Sequence, residues 1–178
     1  DMGLAPLAAF IRSQTRQDLL SEAQKYINTE KGVTDVENAL AGARDIIAEE
    51  LNQDPKIRDA VRQLFQSSAQ ISSVVRKGAK SPGTKDQGSK AGGKDPAAKF
   101  RDYFDWREPA DKAPSHRVLA MFRGQKEKYL TVHVLPDEEK ALKIMGRFAL
   151  RHPSKTAPQT REQMLLVVKD GYKRLLSK

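Results

Sequence analysis

EKGVTDVENALAGARDIIAEEL, residues 30–51, is the stretch whose pattern decides the fold. Val36, Leu40, Ala43, Ile47 and Leu51 recur at steps of four, three, four and four, which keeps them on one face of a 3.6-residue helix. Thr34 and Glu37 ahead of them form a capping box: the hydroxyl accepts from the backbone near Glu37, and the carboxylate reaches back to the Thr34 amide. Beyond this helix, Asp54-Pro55 sets an N-cap before a proline at the first helical position, and Ile57, Val61, Leu64 and Phe65 supply the inner face. Toward the N-terminus, Leu4, Leu7, Ala8 and Ile11 make another stripe, with Pro6 tolerable only in a first turn. Leu19, Leu20, Ala23 and Ile27 make a further one, closed by Gly32.

Toward the C-terminus the period changes twice. Ile71-Ser72-Ser73-Val74-Val75 is β-branched and predicts a short strand leaving the preceding helix. Tyr129 to Val134 alternates, with Leu130, Val132 and Val134 on one side and Thr131 and His133 on the other. The strand near 129–134 needs a partner, and the segment near 73–76 is the candidate. Asp95-Pro96 predicts a helix bearing Phe100, Tyr103 and Phe104, and Ser115 predicts a cap for a helix through Val118, Leu119 and Phe122 that stops at Gly124. Asp137 opens a helix through Ala141, Met145 and Phe148, ending before His152-Pro153. Thr160 and Gln163 read as a second capping box, with Leu165, Val168, Tyr172 and Leu175 inward. The expected fold is mostly α, multihelical, with a minor short β element and no internal repeat.

Residues 78–95, GAKSPGTKDQGSKAGGKD, hold no large apolar side chain. Such a segment gains too little burial to offset the entropy of ordering, so it reads as a flexible Lys/Gly/Ser-rich linker. It would divide an acidic helical subdomain, 1–77, from a basic one, 96–178. Charge follows that division: residues 1–75 carry 8 Lys+Arg against 11 Asp+Glu, while the chain as a whole has a net charge of +9. A basic excess confined to the rear of a chain attracts polyanions. There is no cysteine, which removes disulfides and thiolate metal sites and fits a reducing cytoplasm. No apolar run reaches the ~20 residues that cross a bilayer. The opening Asp1-Met2-Gly3 and the amphipathic end at Lys178 read as cuts within a longer protein.

Catalytic constellations are scarce. GSKAGGKD at 88–95 approaches a phosphate-binding loop but places Asp95 where Ser or Thr would ligate magnesium, and no strand leads into it. His116, His133 and His152 lack ligand spacing. Asp102 and Asp105 lie three apart among Lys99, Arg101 and Arg107, where local ion pairs explain them. No catalysis, metal, cofactor or small-molecule substrate is expected. The densest polar and aromatic stretch is KFRDYFDWREPADKAPSHRVLAMFRG, 99–124. Lys99, Arg101, Arg117 and Arg123 are its candidate phosphate contacts, interleaved with rings that could stack on bases. The competing reading makes the rings a core, which the i,i+4 pair Phe100/Phe104 favours, and leaves Trp106 the ring least expected to be fully buried.

FRDYFDWREP (100–109), PSHRVLAMFRG (114–124) and the strand at Tyr129–Val134 resemble the bacterial Tex family of transcription accessory proteins. GLAPLA (3–8), EKGVTDVENALAGARDIIAEEL (30–51) and SSVVRKG (72–78) resemble it in order and spacing. The resemblance implies a helical region preceding an RNase H-like domain without established catalysis, in a longer protein that also holds helix-hairpin-helix and RNA-binding OB-fold parts. It implies RNA or DNA as partner of the full-length protein, and the transcription machinery as a further one. Residues 79–98 depart from the family's short acidic loop in being longer and basic. Two functions follow as expectations: a non-catalytic helical scaffold of a nucleic-acid-binding transcription accessory protein, or a protein-interaction module that meets the transcription machinery through its basic surface.

Overall fold

The computed structural model describes residues 2–77 and 97–176. The predicted linker at 78–95 and the Asp95-Pro96 start signal lie outside the described residues. Seven α-helices are present among those described: α1 (Ala5–Ser13), α2 (Leu19–Gln24), α3 (Val36–Gln53), α4 (Pro55–Ser68), α5 (Ser115–Lys126), α6 (Glu138–Ala149) and α7 (Pro158–Leu176). Three strands, β1 (Gln70–Val75), β2 (Asp105–Pro109) and β3 (Leu130–Leu135), and a 3₁₀ helix at Ala98–Tyr103 complete the part that matters for the site. The fold is mostly α with one small antiparallel sheet.

The described chain groups into two compact units, residues 1–62 with 139–178 and residues 63–138. This is not the front-and-rear division that composition suggests, because α7, from the rear, packs on α3, from the front. In the first unit Leu7, Ile11, Leu19, Ala43, Ile47, Met145, Met164 and Val167 are buried. Full burial of one such aliphatic side chain contributes about 1.5–3 kcal/mol. Val36 and Leu51, read as inner residues, are only half-buried; Ala39, Ala48 and Asn52 take buried places on α3 instead. Small residues on that face let neighbouring helices approach closely.

Several predicted caps and stops fall elsewhere. The N-cap of α3 is Asp35, not Thr34: its carboxylate accepts from the Asn38 amide at 2.8 Å, and Glu37 turns to Arg44 at 2.7 Å. A carboxylate is the stronger acceptor beside the positive end of a helix. Helix α2 ends at Gln24, and Gly32 (φ +79°) closes a separate 3₁₀ turn, Thr29–Lys31, so Leu20 and Ile27 stay exposed. Helix α7 starts at Pro158; Gln163 pairs with Arg44, and Leu165 is exposed while Met164 and Val167 are buried.

In the second unit the sheet order is β2-β1-β3, both pairs antiparallel. The predicted partner for β3 is correct, with Ser73 opposite Val132 and Val75 opposite Leu130. Strand β2 is additional, placing Trp106 opposite Ser73. Helix α5 is not stopped by Gly124 but runs two residues past it, and the glycine lies where a Cβ would come within 2.6 Å of Leu130 Cδ1. The glycine is a contact point, not a terminus. Helix α5 therefore buries Met121 and Gly124, while the predicted inner residues Leu119 and Phe122 face out.

Candidate functional site

The 3₁₀ helix, β2 and α5 position the four cations that the sequence singles out. Phe100 is buried, its ring 5.8 Å from that of Tyr129, so it anchors the 3₁₀ helix and serves the core. The next side chain back, Lys99, lies with Nζ 4.9 Å from the Phe100 ring centre and 2.6 Å from Glu127. Arg123 reaches the same carboxylate at 2.9 Å. Lys99, and then Arg123, hold the Glu127 carboxyl below its ordinary range. Two cations sharing one carboxylate keep one net positive charge.

Arg117 is placed differently. Its guanidinium pairs with Glu108 at 2.7 Å and lies 4.9 Å from the centre of the Trp106 ring, which Tyr103 meets edge-on at 6.3 Å. The arrangement locks α5 to β2, and both members of the ion pair are part-buried. Breaking such a pair leaves an uncompensated charge in a poorly solvated place. Arg101 is exposed and forms no ion pair among the described residues. The structure thus brings Lys99 and Arg123 together, commits Arg117 to the framework, and leaves Arg101 open.

The outer face of α5 joins the sequence-selected Arg123 to Leu119 and Phe122, which the sequence places inward. Leu119 is 69% exposed and Phe122 45%, between His116, Arg123 and Lys126 at helical spacing. Lys99, Phe100, His116, Leu119, Ala120 and Arg123 line an open groove of about 400 Å³ there. A stripe with an apolar centre and cationic margins offers both dispersion contact and phosphate pairing. The face of the sheet that carries Arg107, Ser72 and His133 in one row also stands exposed at both ends of that row. The signal for the α5 face is present in the i,i+3,i+7 placement of His116, Leu119 and Arg123. It is masked because Leu119 and Phe122 read as core on hydrophobicity alone.

Other candidates disperse. Asp102 lies in the 3₁₀ helix and Asp105 in β2, so they do not share a helix face. Among the described residues no three His, Cys, Asp or Glu side chains are grouped to hold a metal ion. The phosphate-loop-like segment at 88–95 is outside the described residues. No helix among those described is long and apolar enough to cross a membrane.

Residues 14–166 match the family model described as Tex central region-like. The chain belongs to that family. The matched span of this Tex-like region contains all four sequence-selected cations and the α5 groove. The chain is similar to protein YhgF of Escherichia coli (strain K12), 36% identical over 139 residues, 78% of the chain and 16% of the relative. It is similar to the uncharacterized protein YdcI of Bacillus subtilis (strain 168), 32% identical over 175 residues, 98% of the chain and 22% of the relative. The transcriptional accessory protein Tex of Neisseria gonorrhoeae is 35% identical over 130 residues, 73% of the chain and 15% of the relative. The Tex-like region therefore spans less than a quarter of the length of these relatives.

Proposed function

We propose that this Tex-like region is a non-catalytic helical scaffold of a transcription accessory protein that works on nucleic acid in the cytoplasm, and that its 63–138 unit touches a nucleic-acid strand. The observation that carries the reading is the outer face of α5, where Phe122 and Leu119 stand exposed beside Arg123, with Lys99 across the groove. A ring and an apolar side chain stack on bases, while guanidinium and ammonium groups pair with phosphates. Arg101, which has no ion pair among the described residues, adds an uncompensated charge on the neighbouring element. Transcription enters through the name of the Neisseria gonorrhoeae relative.

The test is binding of the chain to a fluorescent single-stranded RNA across a salt series. The reading expects affinity to fall linearly with salt on logarithmic axes, each paired phosphate adding about 0.7 to the steepness. Arg101→Gln with Arg123→Gln should weaken binding and flatten that slope; an unchanged slope would remove this surface from the account. A second reading makes the same groove a seat for an acidic protein segment of the transcription machinery, and the high exposure of Leu119 favours it. Retained protein capture without RNA binding would select that reading.

A further inference from the structure

A second group of exposed guanidinium side chains is on the other unit, around the end of α6. Lys143 and Arg147 lie one turn apart on one face of α6, and Arg151 follows two residues past the end of that helix. Arg147 and Arg151 are exposed and form no ion pair among the described residues. Between them Phe148 is 49% exposed. Its ring lines a pocket of about 220 Å³ together with Arg12, Gln14, Asp54 and Arg151.

The neighbouring cations are held in place without being cancelled. Arg161 donates to the Arg151 carbonyl at 3.2 Å, and Arg16 donates to the Ser154 carbonyl. A carbonyl oxygen orients a guanidinium yet leaves its full charge and most of its donors available. The helix end itself is also quiet. The Ala149 carbonyl, whose partial negative charge would repel an anion, accepts from Gln14 Nε2 at 2.7 Å. Carboxylates are present as well: Glu50 pairs with Arg12, Asp54 caps α4 by accepting from the Lys56 amide at 2.8 Å, and Glu139 lies 3.9 Å from Lys143. Arg16, Arg147, Arg151 and Arg161 form no ion pair among the described residues.

We infer that this surface is a second nucleic-acid contact, at which Arg147 and Arg151 pair with successive phosphates of a single strand while a base stacks on Phe148. An exposed ring set among guanidinium groups is the chemistry by which single strands are held without sequence preference. An acidic peptide would satisfy the cations but offers a stacking group only where it carries an aromatic residue, whereas every nucleotide supplies one. The inference rests on the nucleic-acid reading above and adds a surface that reading does not use.

The experiment measures fluorescence anisotropy of a labelled oligouridylate of about 15 nucleotides, within the range of single-strand site sizes, at several salt concentrations. The chain, Arg147→Gln/Arg151→Gln, Phe148→Ser and Arg101→Gln/Arg123→Gln are compared, with circular dichroism confirming that each is folded. All substituted side chains are exposed, so folding is expected to survive. The arginine pair variant should bind at least tenfold more weakly and reduce the salt slope by about 1.4, the share of two single-strand phosphates. Phe148→Ser should weaken binding about fivefold or more with the slope unchanged, because stacking releases no counterions. Unchanged affinity in both overturns the inference, and weakening confined to Arg101→Gln/Arg123→Gln does so while sparing the earlier reading. No RNA binding by the unaltered chain overturns both. Equal displacement by polyglutamate would replace the phosphodiester with an acidic peptide.

Discussion

Gln14 joins two chain segments more than a hundred residues apart, and removing its side chain should be the most damaging single truncation of a polar group in the 1–62/139–178 unit. The residue ends α1 in the left-handed conformation, φ 50° and ψ 46°, and is 3% exposed. Its amide donates to the Ala149 carbonyl at 2.7 Å and accepts from the Arg151 amide at 2.8 Å, closing α1 onto the end of α6. In Gln14→Ala the Ala149 carbonyl remains buried without a partner, which costs about 1–3 kcal/mol. The Arg151 amide is partly open to water, so its unpairing costs nearer about 1 kcal/mol. The missing methylene packing brings the total to about 3 kcal/mol. With a urea slope of about 2 kcal/mol per molar, the midpoint should drop by roughly 1.5 M. Gln14→Gly removes the same bonds but relieves the left-handed backbone, so it should be about 1 kcal/mol less damaging than alanine. Urea denaturation followed by far-ultraviolet circular dichroism measures both. An alanine variant within about 0.5 kcal/mol of the unaltered chain, or a glycine variant worse than alanine, would mean that Gln14 does not tie α1 to the end of α6.

Gly124→Ala gains about 1 kcal/mol of helix propensity but forces a Cβ to 2.6 Å from Leu130 Cδ1 and 3.1 Å from Phe100 Cδ1, so a net destabilisation of about 1–2 kcal/mol is expected. Trp106, the chain's one tryptophan, reports on that unit by fluorescence during denaturation. The Asp35 carboxyl is held below its ordinary 3.8, first by the Asn38 amide. Its stabilising effect is therefore complete above pH 3.8 and is lost as pH falls through the lower folded value. Asp35→Asn keeps a cap acceptor but loses the charge, so it should lower neutral-pH stability slightly and flatten the acid limb, as urea midpoints across the acid range would record.

What residues alone reveal, and what they hide, follows from the range of the interactions. The α3 stripe through Leu40, Ala43 and Ile47 and the pairing of β1 with β3 are legible because local period carries them. β2 is not, since Asp105-Trp106-Arg107-Glu108-Pro109 has no aliphatic alternation and owes its extension to the edge of β1. The N-cap of α3 reads one residue early because Thr34 and Asp35 both qualify, and acceptor strength decides between them. At the site, Arg101 and Arg123 do lie on the surface, but the ion pair of Arg117 with Glu108 and the shared Glu127 depend on approaches across elements. The Phe148–Arg151 cluster escapes a sequence reading for the same reason. Its cations come from three helices and a turn, and a ring at i+7 from Ala141 and i+3 from Met145 reads as core.

The most direct test of the central claim is the salt dependence of RNA binding by the intact chain, measured by anisotropy with a labelled single strand. Saturable binding is expected, its logarithmic affinity falling with logarithmic salt at a slope of about −2 or steeper, from three or more phosphate contacts. Binding that is absent at low salt, or indifferent to salt, would contradict it.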